Sequence, residues 1–390
     1  MDRLTATLLD PDTDFLTNPA AQSLCLALEA SGHCAYFVGG CVRNAVMGVP
    51  ISDIDIATDA VPDDVINLSE HAGFRAIPTG IDHGTITIVV DDQPFEVTTF
   101  RRDVATDGRR AVIAFSTDLT QDACRRDFTM NALYADRHGR ITDPMQGLED
   151  ACVGRVRFID DAGQRIREDY LRTLRFFRFS AQYAPIDAEW NADALAGIAE
   201  NLDGLESLSA ERVGSEMLKL LGATDPTPAL SIMQQTGVLA RVLPGADPTC
   251  VGPLVHLEQS VGAPNDPIVR LAALGGHDVK DRLRLSRRDQ RHLDSIHSLS
   301  TATGGPKVLG QMGGIAAGGG AFLLRSAYAN TPVTAMEFNG IIIGANAIFP
   351  VTASDLPYLD GPALGAELKV LKQAWLESDL TKTKQDLLHP

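Results

Sequence analysis

Asp53 and Asp55 stand two residues apart in Asp53-Ile54-Asp55-Ile56, a short way after Gly39-Gly40-Cys41-Val42-Arg43. Side chains two apart in an extended strand share a face. Read as a strand, Asp53–Ala57 therefore brings two carboxylates side by side and turns Ile54 and Ile56 to the core. Paired carboxylates suit Mg²⁺, a hard cation that takes one or two carboxylates and fills its shell with waters and substrate phosphates. The glycine pair lets a backbone approach a phosphate closely enough to donate N–H bonds. The chemistry these residues point to is phosphoryl or nucleotidyl transfer. An isolated Asp-x-Asp is common, so the weight rests on the charged motifs downstream of it.

Phe95-Glu96-Val97-Thr98 alternates so that Glu96 and Thr98 share one face. Glu96 is then a candidate third carboxylate beside the aspartate pair, or else a solvated strand residue. In Arg125-Arg126-Asp127-Phe128 the arginines could clamp a triphosphate while Asp127 fixes the guanidinium fork; a charged helix start explains the run as well. In Glu168-Asp169-Tyr170-Leu171-Arg172-Thr173-Leu174-Arg175-Phe176-Phe177-Arg178, a continuous helix sets Asp169 and Arg172 at i,i+3 and extends the ridge through Arg175 and Arg178. An intrahelical ion pair is the plain account of Asp169 and Arg172. Base chemistry offers a sharper one. Cytosine and adenine both present an amino donor beside a ring-nitrogen acceptor, which a carboxylate and a guanidinium complement; guanine and uracil present the reverse.

These groups need a scaffold, and the periodicity of the chain supplies one. Ala20–Ser31 has helical periodicity, His33–Val38 is a strand running into the glycine turn, and Arg43–Met47 is a short helix ended by Gly48 and Pro50. Pro62–Glu70 suits a helix, and Thr85–Val90 with Pro94–Thr99 alternates like a hairpin around Asp91-Asp92. From Asp161 onward the pattern is helical, with Ile166–Tyr183, Asp187–Asn201, Ala210–Leu221 and Thr227–Gln235 as separate helices. Pro244–Pro267 reads as a proline- and glycine-rich joint, and Gly304–Gly320 as loops and loosely packed helix termini.

With 390 residues, 44% apolar, the chain can fill more than one core. Residues 1–100 carry 3 basic and 15 acidic side chains, 101–180 carry 15 and 13, and 181–390 carry 16 and 23. The net charge of −17 therefore hides one arginine-rich segment suited to phosphate. The opening Met1-Asp2-Arg3-Leu4-Thr5 lacks a basic and apolar leader pattern, no run suits a membrane span, and six scattered cysteines have no zinc spacing; a reduced cytoplasmic protein is expected.

Taken in order, GGCVRNAVMGVPISDIDIAT, FEVTTFRRD with DGRRAVIAF, RRDFTMNA, DPMQGLEDACVGRVRFI and EDYLRTLRFFRFSA resemble the class II tRNA nucleotidyltransferases, or CCA-adding enzymes, and their bacterial poly(A) polymerase relatives. The match is dense from Tyr36 to about Tyr183 and weaker through Ser209–Arg212 to FPVTASDL and Trp375. The resemblance implies an α+β fold: a polymerase-beta-like nucleotidyltransferase head with a mixed sheet (1–155), then an all-helical neck carrying the nucleobase-recognition helix (156–245), and a tRNA-binding body and tail (246–390). It implies metal ligands at Asp53 and Asp55, phosphate and nucleotide contacts at Gly39, Gly40, Arg43, Arg126, Arg175 and Arg178, and base selection by Asp169 and Arg172. The expected activity is template-independent CCA addition to the tRNA 3′ end from CTP and ATP, with Mg²⁺ and release of pyrophosphate. No membrane and no stable protein partner are expected. An A-adding enzyme or a poly(A) polymerase is the alternative within the family.

Two positions depart from the family pattern: Asn44 stands for the aspartate usual after the motif arginine, and Ala111 for a proline. The Arg101–Phe115 segment resembles the flexible loop of enzymes that complete the terminal A. A rival from another class is a metal-dependent phosphohydrolase built on His277-Asp278, which lacks the further histidines such a site needs. The run Lys280, Arg282, Arg284, Arg287, Arg288 and Arg291 is a candidate tRNA-backbone contact or a solvated helix face.

Overall fold

A computed structural model describes residues 8–107 and 110–389, so the opening Met1–Thr5 and the Gly108-Arg109 part of the flexible-loop segment lie outside the described residues. The chain divides into two compact units, Met1–Leu208 and Ser209–Pro390.

The first unit is built on a seven-stranded sheet of order β3-β4-β5-β2-β1-β8-β9. The strands are β1 (Ala35–Val38), β2 (Asp55–Thr58), β3 (Arg75–Gly80), β4 (Thr85–Val90), β5 (Gln93–Thr99), β8 (Tyr134–Ala135) and β9 (Ile141–Thr142). β6 (Arg101–Asp107) and β7 (Arg110–Phe115) form a separate hairpin. β2 runs parallel to β5 and every other pair is antiparallel, so the sheet is mixed, as expected. Alternation sets the β4–β5 register: Ile86, Ile88, Val90, Phe95 and Val97 are buried on one face. Asp91 and Asp92 both take positive φ, 47° and 62°, as a two-residue hairpin turn of matching twist requires. The helices Pro19–Glu29 and Pro62–His71 pack on the sheet through residues that include Leu24, Leu28 and Val65.

The segment expected to be one helix over Ile166–Tyr183 is two, Ala162–Glu168 and Leu171–Tyr183. Asp169 breaks it by adopting extended backbone (φ −154°, ψ 105°) and accepting the Leu171 N–H at 3.1 Å. The ring of Tyr170 fills the space above Gly204, where a Cβ would lie 1.9 Å from it. The second of these helices is fixed to the head in two ways. Phe176 and Phe179 join Phe128 and Phe158 in an aromatic cluster with ring centroids 5.0–6.4 Å apart. Arg175 donates to the buried Asp127 carboxylate at 2.7 Å.

The second unit is helical throughout its described residues. Its buried Arg270 pairs with Glu258 at 2.8–2.9 Å and donates to the carbonyls of Leu221 and Ala223, closing the end of the helix Ala210–Leu221. Two readings of the sequence are corrected here. Pro244–Pro267 is no mere joint, for it contains the helix Val251–Val261: Pro253 falls in the first turn, where its missing N–H costs little, and Gly262 closes the end at φ 66°. The glycine-rich run is not loosely packed. It forms the helix Pro306–Gly313, a π-helical turn Gly314–Gly318 and the helix Gly319–Tyr328, and its glycines permit backbone contact with the helix Ala335–Asn346. A Cβ on Gly310 would lie 2.1 Å from the Ile341 carbonyl oxygen, and one on Gly344 would lie 1.9 Å from that of Lys307.

Gly344→Ala should therefore lower stability by about 1–3 kcal/mol. Gly365→Ala, at an exposed helical position with nothing within 4 Å, should raise it by about 0.5–1 kcal/mol. Urea denaturation of the full chain checks both, and equal effects would contradict the close approach. A second expectation concerns acid. Burial alone would raise the Asp127 carboxyl, but Arg175 and the hydrogen bonds from Asn131, Arg175 and the Phe128 N–H hold it below the usual carboxylate range. A carboxyl depressed on folding stabilises above its unfolded value of about 3.9, and that stability is lost as pH falls through the folded value. Asp127→Asn should thus lower the urea midpoint at neutral pH, and its gap from the parent should close as pH falls below about 4. A gap of constant size would show that the charge contributes nothing.

Candidate active site

β2 and β5 bring the carboxylates together at one end of the sheet. Their parallel register sets Asp55 directly beside Glu96. The spacing predicted Asp53 in the strand, but sheet pairing runs out at Asp55, and Asp53 sits exposed in the preceding loop, accepting the Ser52 hydroxyl at 2.8 Å. It still acts on its neighbour. Burial first, then the charges of Glu96 and Asp53, push the Asp55 carboxyl up to about 6, while Arg126 pulls it down. Among the described residues no three His, Cys, Asp or Glu side chains form a ready-made metal cage. The donors present are hard carboxylate oxygens, paired in register on Asp55 and Glu96. They fit a divalent ion that takes few protein ligands and completes its shell with phosphate and water.

The glycine turn borders this cluster. Gly39 has φ 69°, and a Cβ there would lie 3.1 Å from Nη1 of Arg126 and 3.5 Å from the Asn131 carbonyl oxygen, so the absence of a side chain lets the guanidinium close on the turn. Gly40 opens the helix Gly40–Met47. Cys41, buried behind the turn, points its thiol at the Val38 carbonyl, and burial pushes its pKa up to about 11.

The residue that fixes the Arg125–Arg126 fork is Asp122, not Asp127. Asp122 is buried one helical turn upstream on Leu119–Cys124 and pairs with Arg125 at 2.7 Å and Arg126 at 3.1 Å, while the Tyr134 hydroxyl donates to it at 2.8 Å. Burial would lower the Arg126 pKa, but Tyr134 and Asp122 more than reverse this, so Arg126 stays fully charged. Asp127 turns the other way, to Arg175 and to the Asn131 amide at 3.0 Å.

Asp169 lies in the break between helices, and the ion pair of Arg172 is with Glu168 at 2.6 Å rather than with Asp169. Arg172 also donates to the carbonyls of Arg165 and Arg125. Of its five N–H groups, Nε–H and one on Nη2 have no acceptor among the described residues. Three arginines surround the Phe179 ring, with Arg43 at 5.1 Å, Arg175 at 5.3 Å and Arg178 at 4.2 Å from its centroid, and Arg178 also donates to Gln182. Arg43 is buried and bonds to Asn44, Asn131 and the Tyr183 hydroxyl.

Sequence reasoning missed Asp122, Asn131, Glu168, Phe179 and Tyr183. The spacings Asp122/Arg126 and Glu168/Arg172, both i,i+4, were the available signal for two of them; nothing local marks the rest. His277 and Asp278 lie in the second unit at the start of a four-residue helix, with no metal cluster around them among the described residues. The six cations from Lys280 to Arg291 are all exposed.

Residues 35–157 match the family model described as the poly A polymerase head domain, and residues 191–250 match the probable RNA and SrmB-binding site of polymerase A. The chain is 40% identical over 218 residues to the human mitochondrial CCA tRNA nucleotidyltransferase 1, covering 56% of this chain and 50% of that protein. It is 40% identical over 220 residues to the CCA-adding enzyme of Geobacillus thermodenitrificans, covering 56% and 52%. The match thus spans about half the length of these relatives. The crystal structure of the Bacillus stearothermophilus CCA-adding enzyme in complex with CTP superposes with a TM-score of 0.73 at 27% identity, over 93% of this chain and 94% of that one. The stretch that matches the poly A polymerase head model contains the whole Gly39–Asp55–Glu96–Arg126 cluster, and the relatives similar to it are proteins named CCA tRNA nucleotidyltransferase and CCA-adding enzyme.

Proposed function

We propose that this chain is a template-independent tRNA nucleotidyltransferase that adds C, C and A to tRNA 3′ ends from CTP and ATP and releases pyrophosphate. The observation that carries this reading is the register pairing of Asp55 with Glu96, beside an Arg126 brought close by Gly39. The names of the relatives support it, as does the likeness to an enzyme solved with CTP. Asp53 and Asp55, with Glu96 adjacent, would hold Mg²⁺. When bound, the ion would activate the RNA 3′-hydroxyl and neutralise triphosphate charge. Arg126, held charged by Asp122 and Tyr134, together with Arg43, Arg175, Arg178 and the Gly39-Gly40 backbone, grips phosphates, so the 3′-oxygen is aligned with the α-phosphorus and the bond to pyrophosphate breaks.

Asp169 accepts the amino group of cytosine or adenine, and Arg172 donates an unmatched N–H to the ring nitrogen. Guanine and uracil would set donor against donor and acceptor against acceptor, at about 1–3 kcal/mol per unpaired group. Glu168 and the two carbonyls hold the Arg172 guanidinium, which makes the same edge available for both accepted bases. Residues 156–245 act as the neck and 246–390 as the tRNA-binding body and tail, with the exposed run from Lys280 to Arg291 on the RNA backbone. The six cysteines are free thiols, which suits a reducing cytoplasm, and among the described residues no helix is long and apolar enough to cross a membrane.

Transcripts ending before the CCA, after the first C and after CC should be extended by C, C and A in turn, with G and U refused. Addition of A alone to the CC-ended transcript would make the enzyme an A-adding specialist, and unrestricted A-tailing would make it a poly(A) polymerase. Asp55→Ala should lower the rate on the order of a hundredfold or more, and an unchanged rate would end the proposal. Reversing the six charges from Lys280 to Arg291 should flatten the salt dependence of tRNA binding, by up to about 0.7–0.9 in log–log slope per lost phosphate contact. An identical slope would remove that face from the RNA interface.

A further inference from the structure

Tyr170 stands in the break between the helices Ala162–Glu168 and Leu171–Tyr183, and in sequence it lies between Asp169 and Arg172. Those two neighbours are held in different ways. Arg172 is fixed from the first helix and from the arginine turn. Glu168, which also pairs with Arg165 at 2.7 Å, takes it at 2.6 Å, and it donates to the Arg165 and Arg125 carbonyls at 2.8 and 3.0 Å. Arg165 in turn donates to the Cys124 and Arg126 carbonyls. Asp169 belongs to the linker instead, with extended backbone and its carboxylate on the Leu171 N–H. The offset between the Asp169 and Arg172 side chains is therefore set by where the linker lies, not by a continuous helix.

The ring of Tyr170 locates that linker. It is half-buried and lies on Gly204 in the short 3-10 helix Leu202–Ser207, so that a Cβ at Gly204 would stand 1.9, 2.1 and 2.2 Å from three of the ring carbons. Gly204 has no positive φ; its backbone would accept alanine, and the ring is what requires glycine there. The segment beneath the ring is firm. It follows the helix Ala192–Glu200, whose Gly197 packs so closely on the helix Ala162–Glu168 that a Cβ would lie 2.9 Å from the Gly163 nitrogen. The Asn201 amide ties the junction by donating to the Gly197 carbonyl at 2.7 Å. A rigid ring on two side-chain torsions passes a push at its edge back to its own Cα, or else swings out to water.

We propose that Tyr170 and Gly204 are positioning residues for base selection: the ring seated on bare glycine backbone fixes the linker, and with it the offset between the Asp169 carboxylate and the Arg172 guanidinium. The inference rests on the nucleotidyltransferase reading for the base that this pair meets. Two groups that read one base edge must be held to within about 0.5 Å. A Cβ at Gly204 asks the ring to move roughly 1.5 Å to regain van der Waals separation, which exceeds that tolerance.

The test compares the parent chain with Gly204→Ala, Tyr170→Ala, the two together and Tyr170→Phe. It reads kcat/KM for CTP against UTP on a tRNA transcript ending before the CCA, and hydrogen exchange over residues 166–173. Gly204→Ala should lower the preference for CTP about tenfold and speed exchange over the linker, and Tyr170→Ala should do the same. In the double variant there is no ring to displace, so Gly204→Ala should add nothing to Tyr170→Ala. Tyr170→Phe keeps the ring and should keep the parent preference. Tyr170→Leu, which keeps bulk but no planar ring, should lose the preference severalfold and serves if Gly204→Ala fails to fold. An active parent whose preference is unmoved by Gly204→Ala and Tyr170→Ala, or variants that lose CTP and UTP addition equally, would overturn the proposal. Additive losses would do so too, as would a loss in Tyr170→Phe as large as in Tyr170→Ala, which would put the hydroxyl on the base itself. A parent that adds no nucleotide would sink the nucleotidyltransferase reading, and the selection role with it.

Discussion

The Asp127 carboxylate is the constraint on which the first unit depends. It is buried and accepts hydrogen bonds from Arg175, from the Asn131 amide and from the adjacent Phe128 N–H. Each partner carries a different obligation. Arg175 belongs to the helix that bears the other arginines, Asn131 holds Arg43, and the Phe128 ring opens the aromatic cluster against Phe158, Phe176 and Phe179. A single buried charge thus ties the glycine turn, the central sheet and the helix Leu171–Tyr183 into one geometry, and removing it would take an acceptor from a guanidinium and an amide in a poorly solvated place.

Around that point the unit distributes its charges by purpose. Asp122 serves two arginines at once, so the Arg125–Arg126 fork is held in place and still keeps a net positive charge. Asp55 is the opposite case among the acids, a carboxylate crowded by burial and by Glu96 that favours cations nearby. Helix-borne arginines beside an electronegative strand end would suit, on the proposed function, a ligand that is itself divided, with polyphosphate at one end and a hydroxyl at the other.

Much of the fold was legible because it rests on local periodicity. The β4–β5 hairpin followed from strict alternation and two aspartates able to take positive φ, and the head sheet from short alternating runs between glycines and prolines. The helix break at Asp169 was not legible, since its residues all suit a helix and only the capping of Leu171 and the packing of Tyr170 on Gly204 decide against it. The glycine-rich run misled for the opposite reason: weak intrinsic helix formers become helical when backbone contact with a neighbour offsets the cost, and that neighbour is distant in sequence. For the candidate site, the spacing of Asp53 and Asp55 marked the right end of the sheet although sheet pairing stops short of Asp53. The pairing of arginines was misassigned, because Asp122 and Asp127 flank Arg125-Arg126 on either side and only the turn of the chain selects between them.

Cys41 adds a consequence of a kinetic kind. Its thiol is closed off by the same turn that lines the carboxylate cluster, and with a pKa of about 11 it holds almost no thiolate at neutral pH. Alkylation must wait for the turn between β1 and the following helix to open. Its labelling rate therefore counts openings of the glycine turn, giving a clock for local unfolding beside the carboxylate cluster.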